Sequence, residues 1–278
     1  GECDFVTDVA AALPLKIVCE LMGIPDSHYD FVFEQSNIIL GAGDPEYVPA
    51  ESDILTAILN AGMALSELMV EVIESKKGGD GDDLTTVLAN AEIDGERLSH
   101  QDISSFFILL VVAGNETTRN ATSWGLKYLT DNPDQRRIWQ NDLDGVTPTA
   151  VEEIVRMASP VTYMRRTLLT DETVSGVEMS AGDKVLMFYL AANRDPAVFV
   201  DPLTFDVRRT PNNHVGFGGP GPHFCLGAHL ARREIGTMFN ELLRRLPDIH
   251  ATEEPDLLRS SFIHGIKHLP ASFTPVGR

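Results

Sequence analysis

The chain has 278 residues, of which 43% are hydrophobic, so it is long enough to bury a core and disorder is not expected. Its formal net charge of −19 argues against nucleic acid and anionic membranes as partners, because both would repel an acidic protein. The cysteines, Cys3, Cys19 and Cys225, are odd in number, which does not suggest a disulfide framework and indicates a reducing compartment.

Helical periodicity dominates the amino-terminal third of the chain. Apolar residues recur every three or four positions, without strand-like alternation, over residues 9–22, 26–40 and 51–74. Glycine, proline and charged residues separate these stretches at 23–25, 41–49 and 76–83. Three helices joined by turns and followed by a solvated loop are therefore predicted.

The longest helix is predicted to begin after Ser99, where Asp102 completes a capping-box pattern, and to end near Leu129. A helix of roughly 30 residues spans about 45 Å and crosses a whole domain. Its middle is apolar on all sides, so burial is expected there. The longest apolar run, residues 106–113, lies in this helix and is far shorter than the roughly 20 residues of a bilayer span. With no leader pattern at the start, a cytoplasmic protein without membrane insertion is expected.

Minor β structure and a second long helix are predicted downstream. A shorter helix over about 149–158 ends at Ser159 and Pro160, and alternating segments at 165–171 and 184–190 predict small sheets. Residues 193–225 are rich in proline, glycine and asparagine, and an amphipathic helix follows over about 226–246. The predicted fold class is mainly α with minor β.

Residues 217–227, FGGPGPHFCLG, form a glycine-dense loop that delivers Cys225 to the start of the last helix. The helix dipole and the free backbone N–H groups are expected to stabilise a thiolate there by lowering the pKa of the thiol. Small residues permit the close approach of a flat ligand, and iron in a haem is the natural partner of such a thiolate.

The cysteines also allow roles other than haem ligation. Zinc is the competing ligand of the loop, through His214, His223, Cys225 and His229, but their spacing matches no zinc knuckle. Cys3 and Cys19 are expected to be packing residues, because isolated cysteines are usually buried in cores.

The loop resembles the haem-binding signature of the cytochrome P450 family through Phe217, Gly218, Gly221, His223, Cys225 and Gly227. The resemblance implies a P450 fold, with Cys225 as the axial ligand of the haem iron and Phe217, Gly218 and Gly227 in contact with the cofactor. Pro220 departs from the four-glycine variant of this signature. Because proline fixes φ at about −65°, a local difference in the turn is expected.

Residues 113–118, AGNETT, interrupt the apolar run of the long helix with polar side chains. Gly114 has no side chain, so another group could approach the helix closely there. The alternative interpretation is a helix kink whose polar groups are all hydrogen-bonded. Together with Cys225, the segment resembles the oxygen-activating segment of the P450 family. The resemblance implies that Thr117 organises the protons delivered to dioxygen, that Glu116 relays them from solvent, and that Ala113 and Gly114 contact the cofactor.

The same resemblance implies roles for three arginines. Glu153 and Arg156 stand three apart on one helical face, and in the family this pair binds an arginine before the haem loop, a structural role that falls to Arg209. Arg166 and His223 resemble the residues that pair with haem propionates, and a bidentate arginine suits a carboxylate well.

The resemblance covers the whole chain and implies one cytochrome P450 domain over residues 1–278, corresponding to the carboxy-terminal two-thirds of the family fold and truncated at the amino terminus. It implies a monooxygenase that inserts one oxygen atom of O₂ into an apolar organic substrate. Electrons are expected from a ferredoxin, fed by a ferredoxin reductase from NAD(P)H. Arg232 and Arg233, just past the loop, are candidates for docking an acidic ferredoxin.

The substrate expectation rests on two further segments, VEEIVRMASPVTYMRRT and ANRDPAVF, which look closest to actinobacterial members that hydroxylate methyl-branched lipids or isoprenoids. The positions that match pocket residues of the family are Leu109, Val112, Ala113, Thr162, Met164 and Ile263. Their mostly apolar character suits a hydrophobic substrate, and a steroid or polyketide would fit the composition equally well. The rival hypothesis is a truncated, non-catalytic haem-binding remnant of the family.

Overall fold

The helices follow the predicted order, with shorter elements between them. Over residues 1–275, which the computed structural model describes, the α-helices are α1 (Ala12–Met22), α2 (Tyr29–Gly41), α3 (Ile54–Lys76), α4 (Leu84–Asn90), α5 (His100–Asp131), α6 (Pro133–Asn141), α7 (Leu143–Ala158), α8 (Tyr189–Ala192) and α9 (Ala228–Arg245). A π-helical turn, Val6–Ala10, precedes α1, and a 3₁₀ turn, Asp26–His28, precedes α2.

The β structure is confined to short antiparallel pairings. The strands are β1 (Glu2–Asp4), β2 (Glu92–Ile93), β3 (Glu96–Arg97), β4 (Tyr163–Thr167), β5 (Glu172–Val174), β6 (Val177–Met179), β7 (Lys184–Phe188), β8 (His250–Ala251), β9 (Asp256–Leu257), β10 (Ile266–His268) and β11 (Pro270–Ser272). One sheet has the order β1-β11-β8, and the other pairs are β2–β3, β4–β7, β5–β6 and β9–β10. The prediction of a mainly α fold with minor β is confirmed.

The capping box predicted at the start of α5 is confirmed. The Asp102 N–H donates to the Ser99 hydroxyl at 3.1 Å, and the Ser99 N–H donates to the Asp102 carboxylate at 3.0 Å. These bonds satisfy two backbone donors that an α-helix leaves without intrahelical partners. The helix then runs to Asp131, so that it crosses the fold as expected.

Helix α5 ends at Asp131, directly before Asn132 and Pro133 and close to the predicted end near Leu129, whereas the start of α7 differs from the prediction. Pro133 is the first residue of α6, a position where its missing N–H costs nothing. Pro148 lies inside α7, which begins at Leu143 with the Asp142 side chain accepting from the Gly145 N–H at 2.9 Å. The predicted start near residue 149 was therefore wrong by about two turns.

The prediction that the middle of α5 is buried on all sides is also wrong. Phe107 and Val111 are fully buried, but Leu109 is 61% exposed and Ala113 is exposed as well. One stripe of the helix therefore presents apolar side chains outward, and the polar segment 113–118 includes part of this stripe.

The hydrophobic core consists of two clusters, and α5 contributes to both. Phe107 packs in a cluster with Leu65 and Met69 of α3, and Leu126 packs in a cluster with Ile154 of α7 and Phe239 of α9. The segment 113–118 lies between these two contributions along α5. Packing on both sides therefore fixes the position of the segment.

One helix among the described residues, α3, is long and apolar enough to cross a membrane by length and composition, and a third of the tested stretch is buried. The expectation that no segment is long enough to span a membrane rests on the length of uninterrupted apolar runs, and α3 has no uninterrupted run of that length. Core helices pass the same test, so this observation alone does not place the protein in a membrane.

Candidate active site

The loop before α9 folds back on itself and presents Cys225. The Cys225 N–H donates to the Phe217 carbonyl at 3.0 Å, and the Gly218 N–H donates to the Val215 carbonyl at 2.9 Å. Cys225 is exposed and lies just before Gly227, the N-cap of α9. The structure therefore places this cysteine as the sequence predicts.

The backbone of the loop accommodates Pro220 by turning on either side of it. Gly218 and Gly221 have φ values of +86° and +132°, in the region that favours glycine. A proline requires a negative φ, so the two glycines carry the turns that Pro220 does not permit.

The pKa of the Cys225 thiol is raised from its ordinary value, because partial burial outweighs the Gly227 N–H and the charge of Arg232, which both lower it. The expectation of a lowered pKa was therefore wrong for the thiol itself, although the stabilising groups lie where the helix start predicts them. A positively charged metal at the sulfur would add a further stabilising charge.

A half-buried polar cluster that the sequence analysis did not predict lies against the Cys225 loop. Arg232 of α9 lies over the Phe217 ring at 4.4 Å and binds the Glu152 carboxylate with Nε at 2.5 Å and Nη2 at 3.0 Å. His214 Nε2 contacts the same carboxylate at 2.8 Å. Burial alone would raise the pKa of Glu152, but hydrogen bonds from His214 and Arg232 lower it to about 2. Arg232 is thus engaged within the chain, whereas Arg233 is exposed.

Thr117 and Ala113 lie together near the exposed stripe of α5. The Thr117 hydroxyl donates to the Ala113 carbonyl at 2.6 Å, a back-bond that satisfies the hydroxyl without breaking the helix. Helix α1 makes the close approach expected at Gly114, because a Cβ on Gly114 would lie 3.1 Å from Val18. Helix packing therefore accounts for the small residue here, and the contact of Gly114 with the cofactor stays a prediction.

Glu116, next to Thr117 on α5, is buried. Its carboxylate accepts hydrogen bonds from Arg119 and, at 3.4 Å, from Asn120. Arg119 in turn donates to Asn37 of α2 at 2.9 Å. Burial raises the pKa of Glu116, and Arg119 opposes this shift. In this position Glu116 does not reach solvent, so the expected direct relay of protons from solvent is not what the geometry shows.

Glu153, Arg156 and Arg209 are brought together, as the resemblance implies. Arg156 donates to both carboxylate oxygens of Glu153, at 2.7 and 2.8 Å, and Arg209 Nε lies 3.1 Å from each of them. Arg156 also binds the carbonyls of Asn193 and Pro202, both at 2.7 Å. The triad therefore ties α7 to the irregular stretch before the Cys225 loop.

The remaining predicted residues differ in exposure. Arg166 and Met164, on β4, are exposed, as is His223, whereas Val112 and Thr162 are half-buried. Ile263 is buried, with only 2% of its surface accessible, and it pairs with Val161 across a β-bridge. The expectation that Ile263 lines the substrate pocket stays a prediction.

The surroundings of Cys225 suit a flat apolar cofactor. Phe224 and Leu226, on either side of the cysteine, are exposed large apolar residues. Exposed apolar groups of this size normally mark a binding surface, and a cysteine sulfur among them matches haem ligation. Cys225 would hold the haem iron. The exposed side chains of Arg166 and His223 would bind the propionate groups of the haem.

A sequence profile described as Cytochrome P450 matches residues 52–268. The chain belongs to the cytochrome P450 family. This P450 is 52% identical over 273 residues to the methyl-branched lipid omega-hydroxylase of Mycobacterium tuberculosis (strain ATCC 25618 / H37Rv), covering 98% of the chain and 63% of that protein. It is 42% identical over 275 residues to the steroid C26-monooxygenase of the same strain, covering 99% of the chain and 61% of that protein.

A solved P450 has the same fold over the matched region. Cytochrome P450 CYP268A2 of Mycobacterium marinum, in complex with pseudoionone, superimposes with a TM-score of 0.95 at 42% identity, covering 98% of this chain and 66% of that one. The chain spans less than two thirds of the length of the two curated relatives described above.

Proposed function

We propose that this P450 chain is the haem-binding part of a monooxygenase that hydroxylates an apolar organic substrate. The observation that carries the proposal is the exposed Cys225, presented by the signature loop directly before α9. Haem bound through this sulfur would supply the redox chemistry that activates O₂. The names of the relatives, a lipid hydroxylase and a steroid monooxygenase, support the reaction class.

In this proposal the side chains of Thr117 and Glu116, both on α5, deliver the protons that the reaction consumes. The Thr117 hydroxyl is held by the Ala113 carbonyl near the exposed stripe, from where it can orient water or dioxygen. Glu116 is a buried carboxylate paired with Arg119, and rotation of this group away from Arg119 is needed before it can take up a proton and pass it on. In this proposal Thr117 is the group that touches the reacting atoms, and Glu116 relays protons behind it.

For the substrate we infer a methyl-branched lipid or isoprenoid. Support comes from the 52% identity to the methyl-branched lipid omega-hydroxylase and from the apolar exposed side chains of Leu109 and Met164. The terminal carbons of such a lipid can make only apolar contacts, and these side chains provide them. A steroid is the second candidate, favoured by the 42% identical steroid C26-monooxygenase.

For electron supply we infer a ferredoxin with its reductase. Arg232 is paired with Glu152, so the docking role expected of the arginine pair falls mainly to the exposed Arg233. A single exposed arginine affects the association rate with an acidic partner more than the affinity.

The deciding experiment is the spectrum of the reduced, CO-treated chain. A strongly red-shifted Soret band reports thiolate ligation, whereas the absence of a haem band favours the non-catalytic remnant. The same measurement is made on the chain extended with the upstream region of a longer relative. We expect higher haem content and more product per electron in the extended protein, because additional chain can cover exposed apolar surface such as Leu109 and Leu226.

A further inference from the structure

A charged cluster outside the Cys225 loop centres on His268 of β10. Its Nδ1 lies 2.5 Å from a carboxylate oxygen of Asp4, at the end of β1. Its Nε2 lies 2.9 Å from a carboxylate oxygen of Glu46, in the connection between α2 and α3. One imidazole ring therefore bridges two carboxylates from distant parts of the chain.

This geometry determines the protonation state of the ring. A carboxylate can only accept hydrogen bonds, so each ring nitrogen must carry a proton to bind its partner. The pKa values of Asp4 and Glu46 are both lowered, because hydrogen bonds from His268 and, for Glu46, from Lys267 outweigh the effect of burial. Both acids are thus ionised, and His268 is an imidazolium in the observed arrangement.

The neighbouring charges favour the same state. Lys267 Nζ binds Glu46 at 2.9 Å, Asp256 at 3.3 Å and Asp44 at 3.4 Å. Asp256 is also the cross-strand neighbour of His268 on β9. Four carboxylates therefore surround one lysine and one histidine, and this excess of negative charge stabilises a proton on the ring. The hydrogen bond to Asp4 is the main reason that the pKa of His268 is raised from its ordinary value.

The cluster fixes residues 42–53, the connection between α2 and α3, against the segment 259–263. Asp44 is buried and accepts a hydrogen bond from the Arg259 N–H at 2.9 Å. The same segment binds the strand region before β4, where the Thr162 N–H donates to the Phe262 carbonyl at 2.8 Å. Thr162 belongs to the proposed substrate wall, so Asp44 of the connection binds the segment that supports this wall.

We propose that His268 is a pH-dependent latch that holds the connection 42–53 against β10 and the end of β1 while the ring is protonated. A neutral imidazole keeps one N–H and turns a lone pair toward the other carboxylate, so one of the two contacts is lost. Lys267 still holds Glu46 and Asp44, so the connection loosens without detaching. Only the link to the substrate wall rests on the proposed function, since the latch itself is independent of haem.

The direction of the pH effect follows from the raised pKa. The latch contributes its full stabilisation below the ordinary pKa of histidine, and the contribution is lost as the pH rises through the higher pKa of the folded state. Each unit of pKa shift corresponds to about a tenfold difference in the equilibrium between the latched and loosened states.

The experiment is hydrogen exchange of the full chain across a pH series, corrected for the intrinsic pH dependence of exchange. We expect protection of residues 42–53 to fall in one step as the pH rises, while peptides from α9 show no step. His268→Gln is expected to be poorly protected at every pH. His268→Arg, which keeps two donors and a permanent charge, is expected to lose the step and stay protected. His100→Gln serves as the control, because His100 contacts a single carboxylate, that of Glu74.

An NMR titration of the His268 ring in the unmodified chain completes the test. Agreement between the pKa of the ring and the pH of the exchange step supports the latch, even if a variant fails to fold. A ring that is neutral throughout, or equal exchange in the unmodified chain and His268→Gln, overturns it. Neither measurement involves turnover, so a failed latch is distinguishable from a failed monooxygenase assignment, which the CO spectrum decides.

Discussion

The Arg119 guanidinium donates a hydrogen bond to the Glu116 carboxylate one turn earlier in α5, and both side chains are buried. Asn37 of α2 binds the same guanidinium, so a second helix fixes the arginine. Asn115, which is also buried, has no hydrogen-bond partner for its side chain within residues 1–275. The buried side of α5 is therefore polar and charged close to Thr117, which is unusual for the middle of a core helix.

Glu116→Gln is expected to slow turnover while leaving the thiolate-type CO spectrum intact, because the side chain keeps its shape and loses the group that titrates. The same change leaves Arg119 as a buried charge without its anion. Breaking a buried pair in this way typically costs about 3–5 kcal/mol of stability. Turnover with saturating substrate and urea unfolding measure the two effects separately.

The double variant Glu116→Gln/Arg119→Gln is the control for this prediction. It removes the unpaired charge, so stability should recover at least in part while turnover stays slow. Recovery of turnover along with stability would show that Glu116 acts through folding and not through proton transfer.

Thr117→Ala is expected to uncouple the reaction, with oxygen consumption continuing, more peroxide and less product. The change removes the hydroxyl that the Ala113 carbonyl orients, without touching the proposed haem ligand. Thr122→Ala is the matched control, since Thr122 makes the same type of back-bond to the Thr118 carbonyl at 2.8 Å on a buried part of α5. Product per oxygen consumed is the measurement, and equal coupling in the two variants would remove Thr117 from the mechanism.

Cys225→Ala is expected to abolish the thiolate-type CO spectrum, because nothing else in the loop offers the iron an equivalent soft anionic donor. Cys3→Ala and Cys19→Ala are the controls, and both should keep the spectrum. Burial raises the pKa of Cys19 to about 12, as expected for a packing thiol. A thiolate-type spectrum in Cys225→Ala would contradict the ligand assignment.

Local sequence signals predicted the parts of the fold and site that depend on near neighbours. The capping box of α5 needs only Ser99 and Asp102, and the Glu153–Arg156 pair needs only helical spacing. The position of Cys225 before α9 follows from glycine density and periodicity alone. Arg209 was found only through family resemblance, since it approaches Glu153 from an irregular segment with no periodic signal.

The burial of Glu116 and the outward stripe of α5 could not be predicted in the same way. Residue spacing gives the relative directions of side chains on a helix, but it does not say which face packs against α1 and α2. Gly114 illustrates the difference, because its neighbour Val18 is distant in sequence. His268 bridges two carboxylates from remote positions, and no local pattern indicates such a site.

Removal of Glu153 is expected to destabilise the fold more than removal of Arg209. Glu153→Gln leaves the fully buried Arg156 without its charged partner, at a typical cost of about 3–5 kcal/mol. In Arg209→Ala the carboxylate keeps its two bonds from Arg156, so a smaller loss is expected. Lys16→Ala is the control for an exposed ion pair, with an expected change within about 0.5 kcal/mol. Urea unfolding of the three variants checks the order.

Glu234 of α9 is a buried carboxyl whose titration should be visible in the pH dependence of stability. It is 5% exposed, and burial raises its pKa from 4.5 to about 7, while a hydrogen bond with Thr118 of α5 opposes the shift. The folded state therefore prefers the protonated form. Its contribution to stability is complete below the unfolded pKa of 4.5, falls as the pH rises to about 7, and is constant above that.

Glu234→Gln is therefore expected to gain stability relative to the unmodified chain as the pH rises, because glutamine never becomes charged in the buried site. The gap between 4.5 and about 7 corresponds to about 3 kcal/mol, so the difference in unfolding free energy between the two proteins should grow by up to about this amount between acidic pH and pH values above about 7. Urea unfolding across this range measures the growth. Glu253→Gln, at an exposed position, is the control and should show no comparable trend. A difference that stays constant with pH would mean that the pKa of Glu234 is the same in the folded and unfolded states, so that its contact with Thr118 offsets the effect of burial.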